Sequence, residues 1–143
     1  IIRMYKPKLV FAPYAIDRHP DHGNCTTIIE EACFSAGIRK YVDELDQQPH
    51  RVTTIYYYMI NGFHKPDFVI DISEYITKKT ESLKAYKSQF EMQSGSIQTP
   101  LMKDYVESIV AREKMMGKEV GCLYAEGFFS KKPLLMNDLL GGA

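Results

Sequence analysis

The chain has 143 residues, 18 basic and 18 acidic side chains, four histidines and 45% hydrophobic content. That is one domain's length with enough apolar side chains for a core, and a charged fraction of 25% excludes the disordered and fibrous classes. Zero net charge, with no like-charge run longer than two residues, excludes a basic nucleic-acid footprint, and no apolar run approaches the roughly 18 residues of a membrane helix.

The chain opens on Ile1-Ile2-Arg3-Met4-Tyr5-Lys6-Pro7, without an initiator Met at its first position. This reads as the last turn of an amphipathic helix, with cations at its C-terminal end and Pro7 as its stop. Such an opening predicts a piece of something longer. It lacks the charged lead and long apolar stretch of a signal peptide. Residues 8–13, Lys-Leu-Val-Phe-Ala-Pro, form an apolar run without alternation, as in a strand buried on both faces of a parallel sheet. After a loop, a helix is predicted from Pro20 to Ala36, with Pro20 at its first position, Asp21 at the positive end of its dipole and Gly37 as its stop. Ile28, Ile29, Ala32, Cys33 and Ala36 make its apolar stripe.

Residues 38–50 are polar and irregular. Residues 51–60 are β-rich, and Tyr56 to Tyr58 suit sheet core and subunit contact. Asn61-Gly62 is a turn dipeptide and Phe68 to Ile72 a second strand, so a hairpin or close pair is expected, with His64 packing near the bend. A helix capped by Asp71 or Ser73 runs to about Phe90. Residues 91–98 form a loop, Thr99-Pro100 starts a helix carrying Leu101, Tyr105, Ile109 and Met116 that ends near Gly117, and Leu123 to Phe129 is a last strand. The tail through Gly141-Gly142 reads as a fraying terminus. This order predicts an α/β fold with a mixed sheet.

Cys25 and Cys33 share one helix, about 12 Å apart along its axis, too far for a disulfide, and Cys122 is distant in sequence. Reduced, buried thiols in a cytoplasmic protein are the expectation.

Asp17-Arg18-His19-Pro20-Asp21-His22 carries the chemistry. It lies between a buried strand and a helix start, where open α/β sheets bind ligands. His19 and His22, at i and i+3, share one side of a first helical turn. Two imidazoles and two carboxylates in six residues suit a metal or acid–base site. Cys25 extends the spacing to His-x-x-His-x-x-Cys, which keeps a sulfur-containing zinc site open. The alternative is a helix N-terminus with half-exposed histidines.

Arg18-His19-Pro20-Asp21-His22, the stretch Tyr57 to Pro66 and the segment Ala111 to Phe128 together resemble the PIG-L/LmbE-like zinc-dependent deacetylases. The likeness is to the bacillithiol-biosynthesis branch, which removes acetate from N-acetylglucosaminyl malate. It covers the whole chain. It implies a Rossmann-like layered sheet with flanking helices, of which residues 1–143 are the C-terminal part. The family's N-terminal Ala-His-Pro-Asp-Asp type motif, which supplies a His and an Asp to zinc and an Asp as general base, has no match here.

The resemblance implies that His22 is the third protein ligand of a Zn2+ that polarises the acetamide oxygen and activates water. His19 would stabilise the tetrahedral oxyanion or protonate the leaving amine, with Asp21 orienting its ring. Arg18 suits a malate carboxylate or a salt bridge to Asp17, Arg51 is a second substrate-binding cation, and Tyr105 reaches the site as an oxyanion donor. The implied partners are a small amino-sugar substrate and copies of the chain in a homo-oligomer, a hexamer by resemblance. The alternative is a non-catalytic fragment or oligomerisation scaffold, since one histidine does not hold a catalytic zinc.

Overall fold

Parallel pairing of the first two strands organises the N-terminal part of the chain. In the computed structural model, which describes residues 1–42, 44–90 and 104–138, β1 spans Leu9–Pro13 and β2 spans Thr54–Tyr58. They pair in register from Leu9 opposite Thr54 to Pro13 opposite Tyr58. A short α1, Ile2–Tyr5, precedes β1, and its last residue is followed by Lys6 in the left-handed region, just before Pro7. The Arg3 side chain is 6% exposed. Its guanidinium donates to the carbonyls of Ala36, Ile38, Tyr41 and Gln47 at 2.7–3.1 Å, a cation set on the carbonyl end of the next helix.

That helix, α2, spans Pro20–Ala36 as its sequence predicts. Its buried face matches the expected stripe only at Cys33 and Ala36. Thr26, Cys33 and Ala36 are buried, whereas Ile28 is 65% exposed. At about 100° per residue, Ile28 stands on the far side of the helix from Thr26. Thr26 goes inward because its hydroxyl donates to the Pro13 carbonyl at 2.6 Å, joining the helix to the end of β1.

Two compact units make up the chain: Ile1–Asp67 with Phe128 onward, and Phe68–Gly127. The second holds β3 (Phe68–Asp71), α3 (Ile76–Lys84), α4 (Lys87–Phe90) and α5 (Tyr105–Val120). The last strand is β4 (Ala125–Phe129), and the sheet order is β1-β2-β4-β3. Tyr57 and Tyr58 pair antiparallel with Phe129 and Phe128. The fold is therefore mixed α/β, as expected. In the second unit Lys79 bridges the buried Glu113 and Glu126, both at 2.8 Å, and Arg112 joins Glu113 at 3.1 Å.

Four expectations need correction. β2 and β3 form no hairpin, because β4 lies between them; the Asn61-Gly62 turn is instead tied back to the loop after β1. The helix expected to reach Phe90 breaks after Lys84, where Tyr86 N–H bonds to Leu83 three residues back and tightens the turn. Neither Asp71 nor Ser73 caps α3; Tyr75 stands at that position, and Asp71 accepts from Ser73. Finally, α5 runs through Gly117 and stops at Gly121, whose φ of +82° suits glycine. Leu101, Thr99-Pro100, the 91–98 loop and the Gly141-Gly142 tail lie outside the described residues. No helix among the described residues is long and apolar enough to cross a membrane.

Candidate active site

The loop from β1 to α2 leaves the carboxyl end of a parallel strand, and a buried carboxylate shapes it. The Asp17 side chain is 2% exposed. One oxygen, Oδ1, accepts from the His19 backbone at 2.8 Å and from Asn61 Nδ2 at 2.9 Å. The other accepts from the Asn61 backbone at 2.9 Å. Burial alone would raise this carboxyl. The hydrogen bonds from His19 and Asn61, with His22 alongside, outweigh burial and hold it at about 2.

His22 faces the same carboxylate. Its Nδ1 lies 2.9 Å from Asp17 Oδ1, a hydrogen-bond separation, but the ring N–H direction misses the oxygen and the nitrogen makes no aligned hydrogen bond. This nitrogen is shut off from solvent, although 26% of the side chain is exposed. The exposure belongs to other atoms of the side chain, and with Nδ1 buried, Nε2 is the ring nitrogen left to meet a ligand.

His19 is the N-cap of α2. Its Nδ1 accepts from the Asp21 backbone N–H at 3.2 Å. The Asp21 carboxylate stands 3.8 Å from the same nitrogen and is 81% exposed, so the backbone of Asp21 rather than its carboxylate meets the His19 ring. The two imidazoles lie 5.2 Å apart with ring planes 32° from parallel. Gly23 sits where a Cβ would meet the Ala15 carbonyl at 3.1 Å, so the helix start packs closely on its own loop. Arg18 is exposed beside the histidines, and Tyr14, stacked on Phe129 at 3.7 Å with His64 edge-on at 5.5 Å, forms an aromatic wall on the same loop.

The structure thus brings His19, Asp21, His22 and Arg18 together in one turn. It does not bring Arg51 to them. Arg51 precedes the start of β2, the parallel register puts that start beside Leu9, and the histidine loop leaves the other end of β1. Arg51 instead lines a groove of about 820 Å³ with Glu30, Cys33 and Lys131. Tyr105 opens α5 in the second unit, stacked on Phe90 at 5.4 Å. Cys25, Cys33 and Cys122 are free thiols, and burial raises Cys33, with the Glu30 charge adding to it. Asp17 and Asn61 carry most of the loop's geometry; Asp17 was one of the two carboxylates that marked the stretch but had no role of its own, and Asn61 was marked only as a turn residue. Their signals were local: an Asp two residues before His19 is an Asx turn, and Asn61 stands in a turn dipeptide.

Among the described residues, no three His, Cys, Asp or Glu side chains gather as a metal-holding group. The donor chemistry fits one zinc ligand, His22, and a catalytic zinc takes three from protein.

No family model matches the sequence. Among curated proteins, the diacetylchitobiose deacetylase of Thermococcus kodakarensis is 28% identical over 135 residues, 89% of this chain and 46% of that protein. The chain is homologous to a deacetylase. It spans about half the length of that relative. Among solved structures, the conserved protein TT1542 from Thermus thermophilus is 33% identical with a TM-score of 0.82, over 96% of this chain and 58% of that one. Two more share the fold at 21% identity. They are GalB, the 4-carboxy-2-hydroxymuconate hydratase of Pseudomonas putida KT2440 (TM-score 0.69, 96% of this chain and 57% of that one), and the N,N'-diacetylchitobiose deacetylase of Pyrococcus horikoshii (TM-score 0.68, 89% and 46%). The Rossmann-like layered architecture expected from sequence is thereby matched.

Proposed function

We propose that the chain is the C-terminal part of a PIG-L/LmbE-like, zinc-dependent deacetylase that hydrolyses the N-acetyl group of an N-acetylglucosamine conjugate, N-acetylglucosaminyl malate of bacillithiol biosynthesis foremost. The observation that carries this is the histidine turn at the carboxyl end of β1, with His22 backed by buried Asp17, in a homologue of a deacetylase. His22 Nε2 is one metal ligand, and the others come from polypeptide outside the described residues. The zinc, when bound, acts as a Lewis acid toward the acetamide and its attacking water.

The chain's own residues supply binding and proton handling. Because His19 Nδ1 accepts the Asp21 N–H, the proton of the neutral ring sits on Nε2. The side chain is 56% exposed, and that N–H donates to the oxyanion that forms as water adds to the acetyl carbon. When the C–N bond breaks, the amine takes up the proton that the attacking water gave up, and acetate leaves. Arg18, free of the sheet, pairs with a substrate carboxylate such as malate's. The protein works as a cytoplasmic homo-oligomer.

The test is acetate release by the intact, zinc-loaded protein from N-acetylglucosaminyl malate and from N,N'-diacetylchitobiose. The expected result is release that chelation abolishes and zinc restores, with kcat/KM for the malate conjugate at least about tenfold higher, as a recognised charged group supplies. Absence of acetate from both substrates overturns the reading. A second reading, a non-catalytic or oligomerising fragment, draws on the lack of a three-residue metal group among the described residues. Stoichiometric, tight zinc in the 143-residue chain alone would refute it.

A further inference from the structure

His19 and His22 stand one turn apart, and their inner nitrogens meet opposite partners. His19 Nδ1 faces a donor, the Asp21 backbone N–H at 3.2 Å. His22 Nδ1 faces an acceptor, Asp17 Oδ1 at 2.9 Å, in a pocket that solvent does not reach. A lone pair on His22 Nδ1 would confront the lone pairs of a buried carboxylate, while a proton there is attracted to it even with the N–H off the line to the oxygen. Asp17 is itself held from three sides, by the His19 N–H and by the backbone and side-chain N–H groups of Asn61, so it cannot turn away from His22.

We propose that Asp17 is a positioning residue that holds neutral His22 as the Nδ1–H tautomer while the α2 N-cap holds His19 as the Nε2–H tautomer. The two rings then present opposite chemistry outward: His22 a lone pair on Nε2, His19 a proton on Nε2. One can ligate and the other can donate, and neither can take the other's part without breaking its inner contact. Asn61 extends the device, because it fixes the loop after β2 to the same carboxylate. This inference rests on the proposal that His22 is a metal ligand, and it concerns what sets that ligand's orientation.

Imidazole nitrogen NMR of the intact, metal-free protein at a pH where both rings are neutral tests it. The expected spectrum shows a protonated Nδ1 for His22 and a protonated Nε2 for His19. Asp17→Ala should return His22 to the Nε2–H form that an unconstrained histidine side chain prefers and lower zinc affinity by roughly 10–100-fold. Asp17→Asn, whose carbonyl can still accept from Nδ1, should keep the tautomer and recover part of the affinity; it also serves if the alanine variant does not fold. An Nε2–H tautomer for His22 in the wild type overturns the inference, as does an unchanged tautomer in a folded Asp17→Ala protein. The tautomer is read without metal. A correct tautomer combined with zinc binding that survives His22→Ala would therefore defeat the ligand reading and leave the positioning of the ring standing.

Discussion

Single side chains join the layers of the first unit, and each has a measurable weight. The Thr26 hydroxyl gives its proton to the Pro13 carbonyl and sits 3.0 Å from the His22 carbonyl. Thr26→Val keeps the shape and strands that buried acceptor, so a loss of about 1–3 kcal/mol is expected in the denaturant midpoint, with Thr26→Ser recovering most of it. Tyr57 and Glu30 form a second such pair. The phenol donates to the Glu30 carboxylate at 2.6 Å, and Lys131 closes on the same oxygen. Burial first, and then the Glu30 hydrogen bond, push the Tyr57 hydroxyl above its ordinary 10.0. Burial would raise Glu30, but the Lys131 and Tyr57 hydrogen bonds hold it below its ordinary 4.5. The signs then follow. The raised phenol contributes stability below pH 10.0 that is lost as pH rises further, and the lowered carboxylate contributes stability above pH 4.5 that is lost as pH falls. Glu30→Gln should flatten both limbs of the stability curve and bring tyrosinate absorbance of the folded protein to lower pH. Unchanged limbs would show that the pair carries no linkage.

Among the elements, α2 and α5 illustrate what sequence exposes and what it hides. The bounds of α2 were legible because proline, an acidic first turn and Gly37 mark its ends, whatever it packs against. Its buried face was legible only in part, at Cys33 and Ala36. Periodicity favoured the isoleucines, but a hydroxyl seeking the Pro13 carbonyl turned Thr26 inward. In α5 the Gly117 stop failed for a related reason. That glycine is there for close approach, since a Cβ would stand 2.8 Å from Leu123 C and Tyr124 N. Gly117→Ala should therefore lower stability by about 1–3 kcal/mol despite alanine's better helix propensity, and a raised melting temperature would contradict the close-packing account. Arg3→Ala removes a buried guanidinium from four carbonyls. A loss of about 3 kcal/mol is expected, together with faster amide exchange over residues 37–47.

At the scale of the whole molecule, the histidine turn was readable because its residue types and spacing are local. Its support was legible only in part: Asp17 stands in the same stretch, but its partner Asn61 is 44 residues away and meets it through the parallel β1–β2 register. The same register removes Arg51 from the turn, although nothing in its local sequence separates it from Arg18. The chain spans 46% of the deacetylase to which it is homologous and 58% of TT1542, and under the proposed function the zinc ligands besides His22 come from outside the described residues. The most direct measurement is zinc content per chain of the intact protein, wild type against His22→Ala, after dialysis against a mild chelator. The account predicts about one retained zinc in the wild type and loss of the metal in the folded variant. Equal retention by both proteins would contradict it.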